Sequence, residues 1–307
     1  GSISFTSSST SASDLIGIFN FGSSNWTVSN NTIGGITAAN SSTGASNVYG
    51  IRVFTSSTVT FVCQNNTIGG TVANSIQSTT TATGTTIQGI LNSSPAGTIT
   101  GNLIRNLTAA GGTGTTTSAS VIGISIAASS ANQTIGQNTI QALSNTNATA
   151  ASVVTGIQFT GGTANVVERN LIYGLTAATT SASAEVNGIR VAGGTTTYRN
   201  NMIDLGNDMT ANSPQINGIN ETVAGTDNFY FNSVYIGGSS VAAGTANSFA
   251  FQSSITTNTR NYRDNIFFNA RTNSGGSGTH WGISINGTGG LLSTNYNDYY
   301  ANGSGGA

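Results

Sequence analysis

Ile135-Gly136-Gln137-Asn138-Thr139-Ile140-Gln141-Ala142-Leu143 and Val167-Glu168-Arg169-Asn170-Leu171-Ile172-Tyr173-Gly174-Leu175 share one pattern: an apolar residue, an Asn three residues on, then apolar residues two and five positions after the Asn. The Asn-x-apolar signature recurs at Asn31, Asn66, Asn102, Asn138, Asn170, Asn201, Asn232, Asn265 and Asn297, with spacings of 35, 36, 36, 32, 31, 31, 33 and 32 residues. A second column keeps step with it: Gly17-Ile18, Gly50-Ile51, Gly89-Ile90, Gly123-Ile124, Gly156-Ile157, Gly188-Ile189, Gly218-Ile219, Ala250-Phe251 and Gly282-Ile283. A third stands three residues before each Asn (Val28, Cys63, Ile99, Ile135, Val167, Tyr198, Phe229, Tyr262). Each of its members is followed by Ser29, Gln64, Thr100, Gly136, Glu168, Arg199, Tyr230 or Arg263, nearly all polar. That alternation marks a half-buried strand.

Each unit thus supplies three short strands separated by Ser/Thr/Ala/Gly-rich turns, and no segment shows the 3.6-residue period of a helix. Strands that recur at a fixed period without helical crossovers pair best with their own equivalents one unit above and below. The expectation is an all-β chain: a parallel β-helix solenoid of about nine coils, each of about 33 residues and three strands, forming one domain over 1–307. The general crossover preference favours a right-handed path. Ile33, Ile68, Ile104, Ile140, Ile172 and Ile203 are expected to line the core in one row. The Asn column is expected at a tight bend, taking left-handed geometry and bonding through stacked amides from coil to coil. The Gly column suits a bend or a close backbone approach. Cys63 falls in an inward column between Val28 and Ile99, which predicts a buried thiol that resists alkylation until the chain unfolds.

Composition narrows the function. Ser, Thr, Asn and Gly make up 166 of 307 residues and charged residues only 6%, against about 25% in ordinary domains. Two Pro, 36% hydrophobic residues and a net charge of -1 argue for an ordered solid rather than a disordered chain. All eight basic residues are Arg, with no Lys, so there is no basic stripe for nucleic acid. One cysteine excludes an intrachain disulfide or a cysteine zinc site, and no cofactor or metal constellation is legible. No apolar run is long enough to span a bilayer, which predicts no membrane insertion. The N-terminus lacks the regions of a signal peptide, so a mature or excised piece is expected. Charge and aromatics are uneven: residues 1–167 hold only Asp14, Arg52 and Arg105, while residues 168–307 hold the other charges and eight of nine Tyr.

Asn232-Ser233-Val234-Tyr235-Ile236-Gly237-Gly238, Ser248-Phe249-Ala250-Phe251, Asn261-Tyr262-Arg263-Asp264-Asn265-Ile266-Phe267-Phe268-Asn269-Ala270-Arg271 and Asn295-Tyr296-Asn297-Asp298-Tyr299-Tyr300 resemble the β-helix repeat regions of very large secreted surface proteins of Bacteroidota and related bacteria, which typically carry a sorting domain for type IX secretion. The specific likeness covers roughly residues 228–302. It implies a secreted, extracellular or cell-surface location and a role in adhesion or envelope architecture.

The residues then pose a choice between a non-catalytic structural or adhesive repeat protein and a polysaccharide-binding or polysaccharide-degrading β-helix enzyme. Lys is missing and His280 stands alone, read as a surface turn residue rather than a general base. Asp204, Asp208, Glu221 and Asp227 fall in adjacent coils, where they would meet across a groove as an acid/base pair in the enzyme reading. The outward residues Arg199, Tyr230 and Arg263 form the candidate glycan-contact face, and Glu168 with Arg199 a cross-coil ion pair. Ice binding, the third reading, requires an unbroken Thr rank. Thr27, Thr98, Thr134 and Thr197 share a column, but Val62, Val166, Asn228 and Asn261 interrupt it. Repeat strands at both ends predict self-association, with the N-terminal coil (Ile3 to Asn31) docking on the C-terminal coil (Trp281 to Tyr300) in a homo-oligomer or filament.

Overall fold

The computed structural model describes residues 2–54, 59–93, 96–112, 120–127, 132–209, 214–240, 245–286 and 292–307. All the regular structure among them is strand, stacked in parallel into a β-solenoid with three long sheets. Sheet I holds nine strands, from Ser13–Asn20 to His280–Ile285, and sheet II nine, from Trp26–Ser29 to Leu292–Asn295. Sheet III holds twelve, from Ile3–Ser7 to Asp298–Ala301, because two of its early coils split the strand into Thr32–Ile33 with Ile36–Asn40 and Thr67–Ile68 with Ile76–Ser78.

The register reproduces the sequence columns. Ile33, Ile68, Ile104, Ile140, Ile172 and Ile203 pair in succession, then Val234, Phe267 and Tyr299. The first eight of these are buried. Ile18, Ile51, Ile90, Ile124, Ile157, Ile189, Ile219, Phe251 and Ile283 form the matching row in sheet I.

Strands in sheets I and III are kinked, and the kink explains the glycines. Val154, Ile157 and Phe159 all join the core, although a straight strand buries every second residue. The extra residue is Gly156. A Cβ there would lie 2.6 Å from the Gly188 carbonyl oxygen and 2.6 Å from Ile172 Cγ2, so the column marks both a bend and a close approach. Ala250 breaks the pattern in the one coil whose facing residue is Phe267, which has no β-branched methyl to occupy that space. In sheet III the equivalent kink is left-handed: Asn106 (φ 54°), Ala142 (φ 52°) and Gly174 (φ 65°).

The Asn column sits at the corner between sheets II and III, with one correction. The left-handed residue is the one before each Asn: Asn30, Asn65, Gly101, Gln137, Arg169, Asn200, Phe231, Asp264 and Tyr296 have φ between 54° and 67°. This turn frees the Asn side chain to point along the stack. Asn170 Oδ1 accepts both the backbone N–H (3.1 Å) and the side-chain amide (2.9 Å) of Asn138. Its own Nδ2 donates to Asn201 Oδ1 (2.9 Å) and to the Ile135 carbonyl (3.0 Å). The amide-to-amide bond repeats from Asn31 to Asn297.

Cys63 pairs with Val28 and Ile99 and is fully buried. Burial pushes its thiol up to about 12, although the Asn66 amide donates to the sulfur. A bulky maleimide is therefore expected to leave native protein unlabelled and to react only after denaturation; rapid native labelling would show a register error of one residue. From Tyr198 onward the same column turns aromatic. Tyr198 stacks on Phe229 at 5.0 Å and Phe229 meets Tyr262 at 5.3 Å.

Candidate functional site

Placing a tyrosine in an inward column carries a phenol into the core, and the chain answers with ionisable groups. Glu221 occupies the position that Val191 fills one coil earlier. Its Oε2 accepts from Tyr262 Oη (3.0 Å) and Ser253 Oγ. Asp227 Oδ1 accepts the Thr196 N–H at 2.9 Å, and Arg260 Nη1 donates to the Ile255 carbonyl at 2.6 Å. Glu221, Asp227 and Arg260 are fully buried, and Glu221 Oε1, Asp227 Oδ2, Arg260 Nε and Nη2, and Tyr198 Oη find no protein partner. Burial, then the neighbouring Glu221 charge, raises Asp227 to about 8 against the pull of the Thr196 N–H. Glu221 is raised too, chiefly by burial.

Unfolded Asp227 titrates near 4, whereas the folded group keeps its proton up to about pH 8. The contribution is whole below the unfolded value and is lost as pH rises through the folded one. Denaturant unfolding should therefore show stability falling between those limits. Asp227→Asn, whose amide can take the same Thr196 bond, should flatten the profile and raise stability at pH 9 with no gain at pH 4.

The four acids do not meet across one groove. Glu221 and Asp227 lie in this interior corner between sheets I and II, while Asp204 and Asp208 lie outside sheet III, because strand alternation sends an inward and an outward column to opposite sides. His280 is also corrected. It is fully buried and opens the strand His280–Ile285, where the chain end folds over it: its N–H donates to the Gly305 carbonyl and its carbonyl accepts from Ala307 N–H. Asn273 Oδ1 accepts from Nε2 at 3.0 Å, so Nδ1 is the acceptor for Ser248 Oγ at 2.9 Å. Burial, with the Arg271 charge beside it, lowers the imidazole to about 4.

Arg199, Tyr230 and Arg263 do form one row on sheet II. Arg199 Nε pairs with Glu168 Oε2 at 2.7 Å, and Tyr230 Oη donates to Asn228 Oδ1 at 3.0 Å, so two of the three are held by neighbours on the sheet. Arg263 is exposed. The interrupted Thr column also stands in register, as Thr27, Val62, Thr98, Thr134, Val166, Thr197, Asn228 and Asn261.

Concave surface also lies elsewhere, on the outer face of sheet III. Three residues after each ladder Asn from Asn102 onward runs the row Arg105, Gln141, Tyr173, Asp204, Tyr235, Phe268, Tyr300. Tyr235 and Phe268 meet edge to face at 5.4 Å, and Phe268 and Tyr300 at 5.0 Å. One residue after each Asn runs a second row in which Leu171, Met202 and Ile266 are 38%, 59% and 50% exposed. Between the rows lies a groove of about 350 Å³, and a second of about 370 Å³ on the same face is lined by Tyr173, Asn74 and Asp208. Asn207 Nδ2 donates to Asp204 Oδ1 at 3.1 Å. Partial burial and the nearby Asp208 charge raise the Asp204 carboxyl. Sequence reading missed this face, although the position three after each Asn carried the signal. Comparison with protein-family models, curated proteins and solved structures finds no match.

Proposed function

We propose that the chain is a non-catalytic structural and adhesive solenoid, exported to the bacterial surface or built into an extracellular filament. The observation that carries this reading is the exposed apolar row and half-buried aromatic row on sheet III, held on a frame that the Asn ladder locks coil by coil. Contiguous exposed apolar surface on a rigid scaffold suits contact with a partner surface.

Incubation with pectins, alginates and neutral glycans, with and without calcium, tests the reading. Retention on a glycan or cell surface without product release supports it. Sustained release of reducing ends or unsaturated uronates, abolished by Asp204→Asn or Asp227→Asn, would replace it with the enzyme reading. Electron microscopy of the protein at rising concentration tests the filament: end-to-end rods are the expected result, and isolated particles throughout would remove that branch.

A further inference from the structure

Two grooves lie on the outer face of sheet III and are together called the furrow. Tyr173 in the lining of one pairs with Asp204 in the lining of the other; the first reaches from Asn74 and Asn106 to Asp208, the second from Leu171 to Phe268. The furrow runs along the stack, so its side chains repeat once per coil, at about 4.8 Å. That step is comparable to the length of one sugar residue in an extended polysaccharide. Rings stand in its wall at Tyr173, Tyr235 and Phe268, and Tyr300 continues the row beyond it. Successive rings are turned nearly perpendicular, at 82° and 73°, so the row offers both faces and edges to a ligand.

The charge pattern narrows the ligand further. Asp204 and Asp208 are the charged residues in the lining, and no basic side chain lines either groove. Polyanions such as uronate or sulfate chains would be repelled. Vicinal hydroxyls would instead donate to the Asp204 carboxylate, which Asn207 steadies at Oδ1, while amides such as Gln141 offer both donors and acceptors. The apolar side chains of Leu171, Met202 and Ile266 suit the C–H faces of sugar rings.

We infer that this furrow binds a single extended chain of a neutral, hydroxyl-rich polysaccharide laid along the solenoid axis, its rings against Tyr173, Tyr235 and Phe268 and its hydroxyls on Asp204 and Asp208. The inference rests on the adhesive reading above and deepens it by naming the ligand class. It also moves the contact face from sheet II to sheet III.

Affinity electrophoresis and calorimetry with neutral hexasaccharides of glucan, mannan and xylan type test it, beside polygalacturonate and an oligolysine peptide. The expected result is binding to at least one neutral oligosaccharide and none to polygalacturonate. The double variant Tyr235→Ala/Phe268→Ala should weaken it by at least about tenfold, and Asp204→Asn by a smaller factor. Tyr230→Ala on sheet II should leave it unchanged. The substituted side chains point outward, so the circular dichroism of each variant should match the parent and separate lost binding from lost fold. No binding to any neutral oligosaccharide, binding indifferent to the double variant, or capture only of the cationic peptide would each overturn the assignment. If the neutral sugars fail while the protein still adheres to cell surfaces, the furrow assignment falls and the adhesive reading stands. Cleavage of a bound sugar would do the reverse.

Discussion

Asn170→Ala should cost roughly 3–5 kcal/mol, among the largest losses from a single polar substitution in the core. The estimate comes from counting what the amide leaves behind. Its removal orphans the backbone N–H and Nδ2 of Asn138, the Ile135 carbonyl, and one acceptor position on Asn201 Oδ1. Asn138 and Asn201 are almost fully buried, so each lost bond leaves a group without water, at about 1–3 kcal/mol apiece before relaxation. Asp at the same position should rescue little: a carboxylate still accepts from Asn138 but cannot donate to Asn201 or Ile135, and it buries a charge. Hydrogen exchange is the informative readout. In a solenoid each coil leans on its neighbours, so amide protection should fall in the coils around residues 138 and 201 and persist near residue 265. A uniform loss along the rod would mean that the ladder acts as one cooperative unit.

Arg271→Met should cost a similar amount, roughly 3–5 kcal/mol, for a different reason. The guanidinium is buried and donates to four backbone carbonyls of two preceding coils: Gly206 and Gly237 through Nη1 at 3.3 and 3.2 Å, Met209 and Ser239 through Nη2 at 3.4 and 3.2 Å. Burial lowers it to about 10, so it stays charged at neutral pH. Met fills the volume and leaves the carbonyls unmet. Arg271→Lys should recover only part of the loss, because an ammonium cannot span the planar fork that reaches all four. Urea unfolding followed by hydrogen exchange at residues 202–209 and 236–240 would check this. Unchanged protection there, with lost stability elsewhere, would assign Arg271 a different role. The Met variant should also ease protonation of His280, whose imidazole is held down in part by the Arg271 charge.

The repeat columns were legible because each is a packing requirement that every coil must meet. An inward Ile, a Gly beneath a β-branched methyl and a corner Asn recur wherever the coil closes. The left-handed residue was not legible, since its requirement falls on the backbone and the stack enforces it on any side chain. Phe231, Arg169 and Tyr296 adopt it beside Asn30 and Gly101. His280 was misread because it stands in the inward column of Val121, Val154, Val186, Ile216 and Ser248, where a polar side chain breaks the apolar pattern that marks the column. The acids misled for a related reason: adjacency in coil number says nothing about which side of a strand a residue occupies, and Glu221 stands in the inward column that Val191 fills one coil earlier. The sheet III row was visible in principle, three places after each Asn, but its members change chemistry from Arg105 to Tyr300 and so form no motif.

The ladder has a mechanical meaning. Its bonds, and those of all three sheets, point along the rod, whereas the covalent chain winds around it. A force applied along the axis is shared at each coil boundary by three strand pairs and an amide, which must all yield together. A force applied sideways to one loop meets them singly and peels them in turn. Such a rod is strong under tension along its axis and easy to tear from the side.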